Sequence, residues 1–226
     1  MLLRSIVRRL RLPAAAAGAG AGVTALYLRD ADSEFRSVSE ASLPLTYEPE
    51  DIASVWSEHP RCVLSRLLTI AGRVTPLAVK VLSETVLWPP TQETEQERSA
   101  RHASRAIELR SCLTSLGPTF IKAGQALSIR PDLLPPAAVY ELQQLCDSVP
   151  SYPTCDALRL IEAELGAPAQ QLFEGLDETT EPIAAASLGQ VYKCRVRDGG
   201  QEVALKVQRP DMIRQVSLDL YLLRGE

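Results

Sequence analysis

Two short motifs hold the side chains best suited to chemistry. Ala184-Ala185-Ala186-Ser187-Leu188-Gly189-Gln190-Val191 has the spacing of a phosphate-covering loop, G-x-G-x-x-G-x-V, with alanine in place of the first two glycines. Val203-Ala204-Leu205-Lys206 has the form of the V-A-I-K strand that presents a lysine to phosphates, and Lys206 lies 17 residues after Gly189. Glycines in such a loop let backbone N–H groups approach phosphate oxygens; alanine at 184 and 186 restricts φ and stiffens it. In the lysine strand, alternation puts Val203, Leu205 and Val207 on a packed face and Ala204 with Lys206 on the other. A small residue there leaves room for a flat base, an ammonium two positions on reaches phosphates, and Val191 supplies a second apolar wall. The alternative is an ordinary β-hairpin with a solvated surface lysine.

Other chemistries find little support. Net charge is −4 and aromatic residues are 5% of the chain, which argues against a general nucleic-acid binder. The five cysteines (Cys62, Cys112, Cys146, Cys155, Cys194) form no C-x-x-C pair, and there are two histidines, His59 and His102. No metal site is expected; reduced structural thiols in a reducing compartment are.

The elements that must position the motifs follow from periodicity and punctuation. Residues 1–29 hold five arginines and no acidic residue, and read as an organelle transit peptide or anchor. Residues 30–50 read as a linker. From Asp51 apolar residues recur at helical steps. A nearly all-apolar run from Pro76 to Trp88 is expected as a separate helix, too short at 13 residues to span a bilayer and stopped by Pro89-Pro90. Thr91 or Thr94 is the expected N-cap of the next helix, over 100–115. Gly117-Pro118 breaks it and starts TFIKAGQALSIR, where Lys122, Gln125 and Ile129 fall on one side. Gly124 sits mid-helix, at a cost of about 1 kcal/mol against alanine, and so marks a close approach of something else. Further helices are expected over 137–146 and 155–165, the latter stopped by Gly166. Strands over 191–196 and 202–208 flank a hairpin at Asp198-Gly199-Gly200.

With these residues in view, the chain resembles the UbiB/ADCK family of atypical kinases, the aarF-domain-containing proteins, from about Tyr47 to Arg224. LGPTFIKAGQALSIRPDLLP carries the family's K-x-G-Q signature as Lys122, Gly124 and Gln125; AAASLGQVY carries its alanine-rich loop; VALKVQRP carries its lysine strand. TYEPEDI and LDLYLLR are most similar to the plastid and cyanobacterial subgroup, whereas the arginine-rich start leans mitochondrial.

The resemblance implies an α+β fold: a helical N-terminal extension over 51–175, then part of a protein-kinase-like N-lobe, a β-hairpin and helix, over 176–226. It implies ATP or ADP as ligand, contacted by Ala184, Ala185, Ala186, Ser187, Gly189, Val191, Ala204 and Lys206, with Lys122 and Gln125 as an inhibitory pair in the cleft. It implies ATPase or unorthodox kinase activity in quinone or prenyl-lipid metabolism at an organellar membrane, mitochondrial or plastid, with membrane surfaces or biosynthetic proteins as partners. Phosphoryl transfer also needs a catalytic Asp, an Asn and a second Asp for Mg²⁺, which the family carries in a C-terminal lobe. The sequence ends at Glu226, about one helix after the lysine strand, so that lobe and the Mg²⁺ ligands are absent and the chain by itself is expected to lack ATP turnover. The alternative class is a non-catalytic helical protein that binds a membrane or partner, its nucleotide hairpin vestigial.

Overall fold

The computed structural model describes residues 21–44, 46–87, 92–146 and 149–224. Most of residues 1–29, expected as a transit peptide or anchor, and the Pro89-Pro90 stop with Thr91, lie outside the described residues. The fold is α+β, and the chain divides into two compact units: Met1–Pro76 with Ile213–Glu226, and Leu77–Met212.

The first unit is helical. Helix α1 (Ala21–Ser37), a 3₁₀ turn (Glu40–Ser42), α2 (Pro49–Trp56) and the first part of α3 (Pro60–Leu82) are joined by α9 (Met212–Arg224). Val38, Leu43, Ile52, Trp56, Val63 and Leu218 form its core. Residues 30–50, expected as a linker, therefore finish a helix and bury Val38 and Leu43. Apolar residues spaced too irregularly for a helix stripe can still fill a core once the chain turns. Two polar links cross this core. Trp56 Nε1 donates to Ser217 Oγ at 3.1 Å. Arg66 makes a two-pronged pair with Asp219, at 2.7 and 2.9 Å, and the aspartate side chain is wholly buried.

Helix α3 corrects the expectation of a break at Pro76, because the proline lies inside it. A proline removes one i→i−4 bond, here to Gly72, but the turns on either side keep theirs. A π-helical turn, Ser83–Leu87, extends the helix. The 28-residue stretch Pro60–Leu87 is long and apolar enough, by length and composition, to cross a membrane, and only 11% of its most apolar window is buried. The expectation of 13 residues was too short for this reason.

The second unit has a helical layer and a sheet. Helix α4 (Glu95–Leu116) starts at the expected Thr94, whose hydroxyl accepts from Glu97 N while the Glu97 carboxylate accepts from Thr94 N. Helices α5 (Pro118–Leu127) and α6 (Pro136–Gln143) pack on α4 around Ile121, Leu142 and Leu145. Helix α7 (Thr154–Leu165) ends at Gly166, φ 72°, and α8 (Ala169–Leu172) leads into the sheet. The sheet is antiparallel and four-stranded rather than a lone hairpin. β3 (Gly189–Val196) pairs along one edge with β1 (Phe173–Glu174) and β2 (Ala184–Ala186), and along the other with β4 (Glu202–Gln208). Gly199 and Gly200, at φ 91° and 66°, close the β3–β4 connection where the hairpin signal stood. Ala157, Ile161, Phe173, Tyr192, Cys194 and Val207 form the core between α7 and the sheet.

Candidate functional site

The site is the face of the sheet turned away from that core. The register sets Val191 opposite Ala184 on one side and Lys206 on the other, and Lys193 opposite Ala204. Side-chain alternation puts Ala184, Val191, Ala204 and Lys206 on this open face; Ala184, Ala204 and Lys206 are exposed and Val191 half-buried. The structure thus brings four predicted residues together as a floor of small and apolar side chains with an ammonium beside it. Lys206 makes no ion pair among the described residues, whereas its neighbour Lys193 is paired with Glu202 at 3.0 Å. Val203, Leu205 and Val207 pack into the core as the alternation predicts.

The alanine-rich segment is a strand, not a loop. Alanine disfavours the left-handed backbone that glycine allows, and Ala184–Ala186 instead pairs with Gly189–Val191 across a two-residue turn at Ser187-Leu188. Ile183 N donates to Val191 O at 2.8 Å and Arg209 N to Leu188 O at 3.0 Å, so both ends are tied. Ala185 is half-buried and Ser187 only 1% exposed, so these two stand apart from the open face. Gly189 is in register with Gln208, and its φ is not positive. A Cβ at this position would lie 2.4 Å from the Val207 carbonyl oxygen, so the approach of β4 requires the glycine.

Beneath the open face lies a polar network that sequence reasoning missed. Gln190 is fully buried. Its Oε1 accepts from Tyr152 N, and its Nε2 donates to Tyr152 O, both at 3.2 Å, and to the Tyr192 hydroxyl. Tyr152 Oη donates to the carbonyls of Val207 and Gln208 at 3.2 and 2.9 Å. Burial pushes the Tyr152 phenol up to about 12. The Arg209 guanidinium stands 5.3 Å over the Tyr152 ring and donates to Pro150 O. Residues 149–154 are thereby clamped under β3 and β4. Strand parity alone puts Gln190 with Tyr192 and Cys194, and that was the available signal.

The K-x-G-Q residues sit in the helical layer. A Cβ on Gly124 would lie 2.6 Å from Leu145 Cδ1 and 2.9 Å from Leu113 Cδ1, which accounts for a glycine mid-helix. Gln125 Nε2 donates to Leu145 O at 2.7 Å, just past α6. Lys122 is exposed. α5 packs on α4 and α6, and the bond recorded for Gln125 leads there rather than to the sheet. Among the described residues no cluster of three His, Cys, Asp or Glu side chains could hold a metal ion.

Comparison with known proteins decides the family. The model of the ABC1 atypical kinase-like domain matches residues 144–225, which span α7, the sheet and α9. Residues 144–225 belong to the ABC1 atypical kinase-like family. The chain is 46% identical over 179 residues to an uncharacterized protein of Synechocystis sp., covering 79% of this chain and 25% of the relative. It is 42% identical over 196 residues to Protein ACTIVITY OF BC1 COMPLEX KINASE 3, chloroplastic, of Arabidopsis thaliana, covering 87% and 26%. It is 37% identical over 195 residues to Protein ACTIVITY OF BC1 COMPLEX KINASE 7, chloroplastic, of the same plant, covering 84% and 28%. The chain spans about a quarter of the length of these relatives. No solved structure matches it. The relatives are cyanobacterial and chloroplastic, as the resemblance of TYEPEDI and LDLYLLR implied, and the mitochondrial lean of the arginine-rich start gains no support.

Proposed function

We propose that this ABC1 atypical kinase-like protein binds ATP or ADP on the open face of its sheet, in a plastid, in the service of quinone or prenyl-lipid metabolism. One observation carries the reading: the β2–β3–β4 register aligns Ala184, Val191, Ala204 and Lys206 on a single exposed face. Ala184, Val191 and Ala204 offer a base a flat, apolar seat, and the Lys206 ammonium reaches for the phosphates. Pairing with β3 holds β2 extended, and alanine lacks the backbone freedom of glycine, so the nucleotide meets a stiff edge rather than a wrapping loop. Mg²⁺ would come in with the nucleotide phosphates. Lys122 and Gln125 form the inhibitory pair of this reading. Phosphoryl transfer belongs to the whole protein of which such a domain is part.

The test is titration of the purified chain with a fluorescent ADP analogue. Lys206→Ala is expected to weaken binding at least about tenfold, the loss of a charge-assisted contact of roughly 1.5–3 kcal/mol. Equal affinity in the variant, or no binding to the parent chain, refutes the reading.

The exposed apolar side of α3 favours a membrane-surface role in addition. Leu68, Val79, Leu82, Val86 and Leu87 are each more than half exposed. Flotation with vesicles of neutral plastid-type galactolipid is expected to carry the chain, and Val79→Glu to release it. Equal flotation of the variant refutes membrane contact through this face.

A further inference from the structure

Within the second unit, Leu77 and Val81 near the end of α3, Ala106 and Leu109 of α4, and Leu134 and Ala138 around the start of α6 line a pocket of about 290 Å³ that opens to solvent on one side. It involves none of the residues of the sheet face. Glu84 and Thr85 reach its rim from the π-helical turn, a local distortion that recurs at functional sites. Arg101 and Arg105 of α4 complete the rim.

The rim charges are already matched. Glu84 pairs with Arg105 at 2.7 Å and with Arg101 at 3.7 Å. Arg101 also pairs with Glu93 at 2.7 Å, and Arg105 with Glu108 at 2.5 Å. Lys80 adds a third cation, 3.1 Å from Glu108. Three cations therefore face three carboxylates in mutual pairs, and His102 of α4 also lines the pocket. A ligand bearing its own charge finds each rim charge already engaged, so it gains little from a new ion pair there. The apolar walls favour an apolar body for the usual reason, area removed from water. Volume sets the scale of that body: an apolar cavity of about 150 Å³ holds one benzene ring, so about two fused rings fit in this pocket.

We propose that this cavity is a binding site for a small, uncharged, bicyclic-sized apolar molecule carrying one hydrogen-bond donor toward the Glu84 carboxylate. The site is independent of nucleotide binding on the sheet. Glu84 stays ionised well into acid, since the bond from Arg105 holds its carboxyl below the usual range, so the acceptor is present at neutral pH.

Indole is the probe, titrated calorimetrically into the full 226-residue chain. Indole is expected to bind with a dissociation constant below about 1 mM, and indole-3-carboxylate and tryptamine at least about tenfold more weakly. Ala106→Leu and Ala138→Leu, which fill the cavity from two different helices, are expected to abolish indole binding. Lys206→Ala is expected to leave it unchanged, so failure of the nucleotide reading does not touch this one. Methyl NMR of the parent chain provides a readout that needs no variant: shifts on adding indole are expected at Leu77, Leu109 and Leu134. Absence of binding, equal affinity for the charged analogues, binding retained in both filled variants, or shifts elsewhere in the chain each overturn the proposal.

Discussion

Replacing Gly189 with alanine sets two effects of known size against each other. Glycine in a strand costs about 0.5–1 kcal/mol relative to alanine, so on local grounds the substitution stabilises. The added Cβ, however, would stand 2.4 Å from Val207 O and 3.2 Å from Gln208 Cα, both backbone atoms. β4 must retreat by about 1 Å to restore ordinary contact. That retreat stretches the Tyr152 bonds to the Val207 and Gln208 carbonyls, now 3.2 and 2.9 Å, beyond useful length. The one hydroxyl proton is shared between the two carbonyls, so its loss is worth about 1 kcal/mol, and overpacking of about 2 kcal/mol brings the total to roughly 3 kcal/mol. The expected net is destabilisation by about 2 kcal/mol, localised to the β3–β4 ladder. Native-state hydrogen exchange reads it as faster opening of the β3 and β4 amides. Gly72→Ala is the control: nothing lies within 4 Å of its added Cβ, and it should slow exchange in α3 by about 1 kcal/mol of helix propensity. If the β3 and β4 amides of Gly189→Ala exchange no faster than those of the parent chain, the close-approach argument fails.

Two further outcomes follow from buried polar groups. Asp219→Ala removes the two-pronged partner of the Arg66 guanidinium, only 14% exposed, and should cost about 3–5 kcal/mol in a thermal melt, with most of it recovered by the double replacement Arg66→Met with Asp219→Leu. Arg130→Ala, which removes the surface pair to Asp132, should leave the melt nearly unchanged; equal losses at the two sites would show that burial of the first pair carries no weight. The Tyr152 phenol, raised by burial from 10.0 to about 12, gives alkaline sensitivity. The folded state holds that proton more tightly than the unfolded state, so stability is full below pH 10 and falls as pH rises from 10 toward 12. Cys62, also raised to about 12 by burial, adds a slope of the same sign. Urea midpoints followed against pH should therefore drop less steeply in Tyr152→Phe than in the parent chain, and identical slopes would sink the assignment.

The sheet shows why some features were readable and others not. Strand alternation is a property of the backbone, so Val203, Leu205 and Val207 could be placed in the core, and Ala204 and Lys206 outside it, from spacing alone. The Thr94 cap and the Gly166 stop are likewise local chemistry. The alanine-rich segment misled because a three-position spacing was read as a loop, while alanine lacks the left-handed backbone a glycine loop uses and the pairing with β3 then holds the segment extended. Pro76 misled because the cost of an internal proline depends on what the neighbouring turns retain. Gln190 and Tyr152 are 38 residues apart, and the pairing of Val38 and Leu43 with Leu218 spans most of the chain. Nothing in the spacing of one segment names its distant partner. The K-x-G-Q glycine falls between these cases: its need for close packing was legible, but the packing leucines, Leu113 and Leu145, were not.

β4 borders β3 on one side, and its other edge meets no strand among the described residues. A seven-residue edge of this kind is a template for association between molecules, and natural sheets guard such edges with charge. In Val203-Ala204-Leu205-Lys206-Val207 the only charge is the lysine. The same ammonium that offers itself to phosphates also keeps this edge from zipping onto another copy. Its removal turns Val203–Val207 into an unbroken apolar run with Glu202 the one charge left on the strand, so a loss of binding in Lys206→Ala counts only when light scattering shows the variant still monodisperse. Lys206→Glu separates the two duties, because it abolishes the attraction for phosphate and keeps the edge guarded.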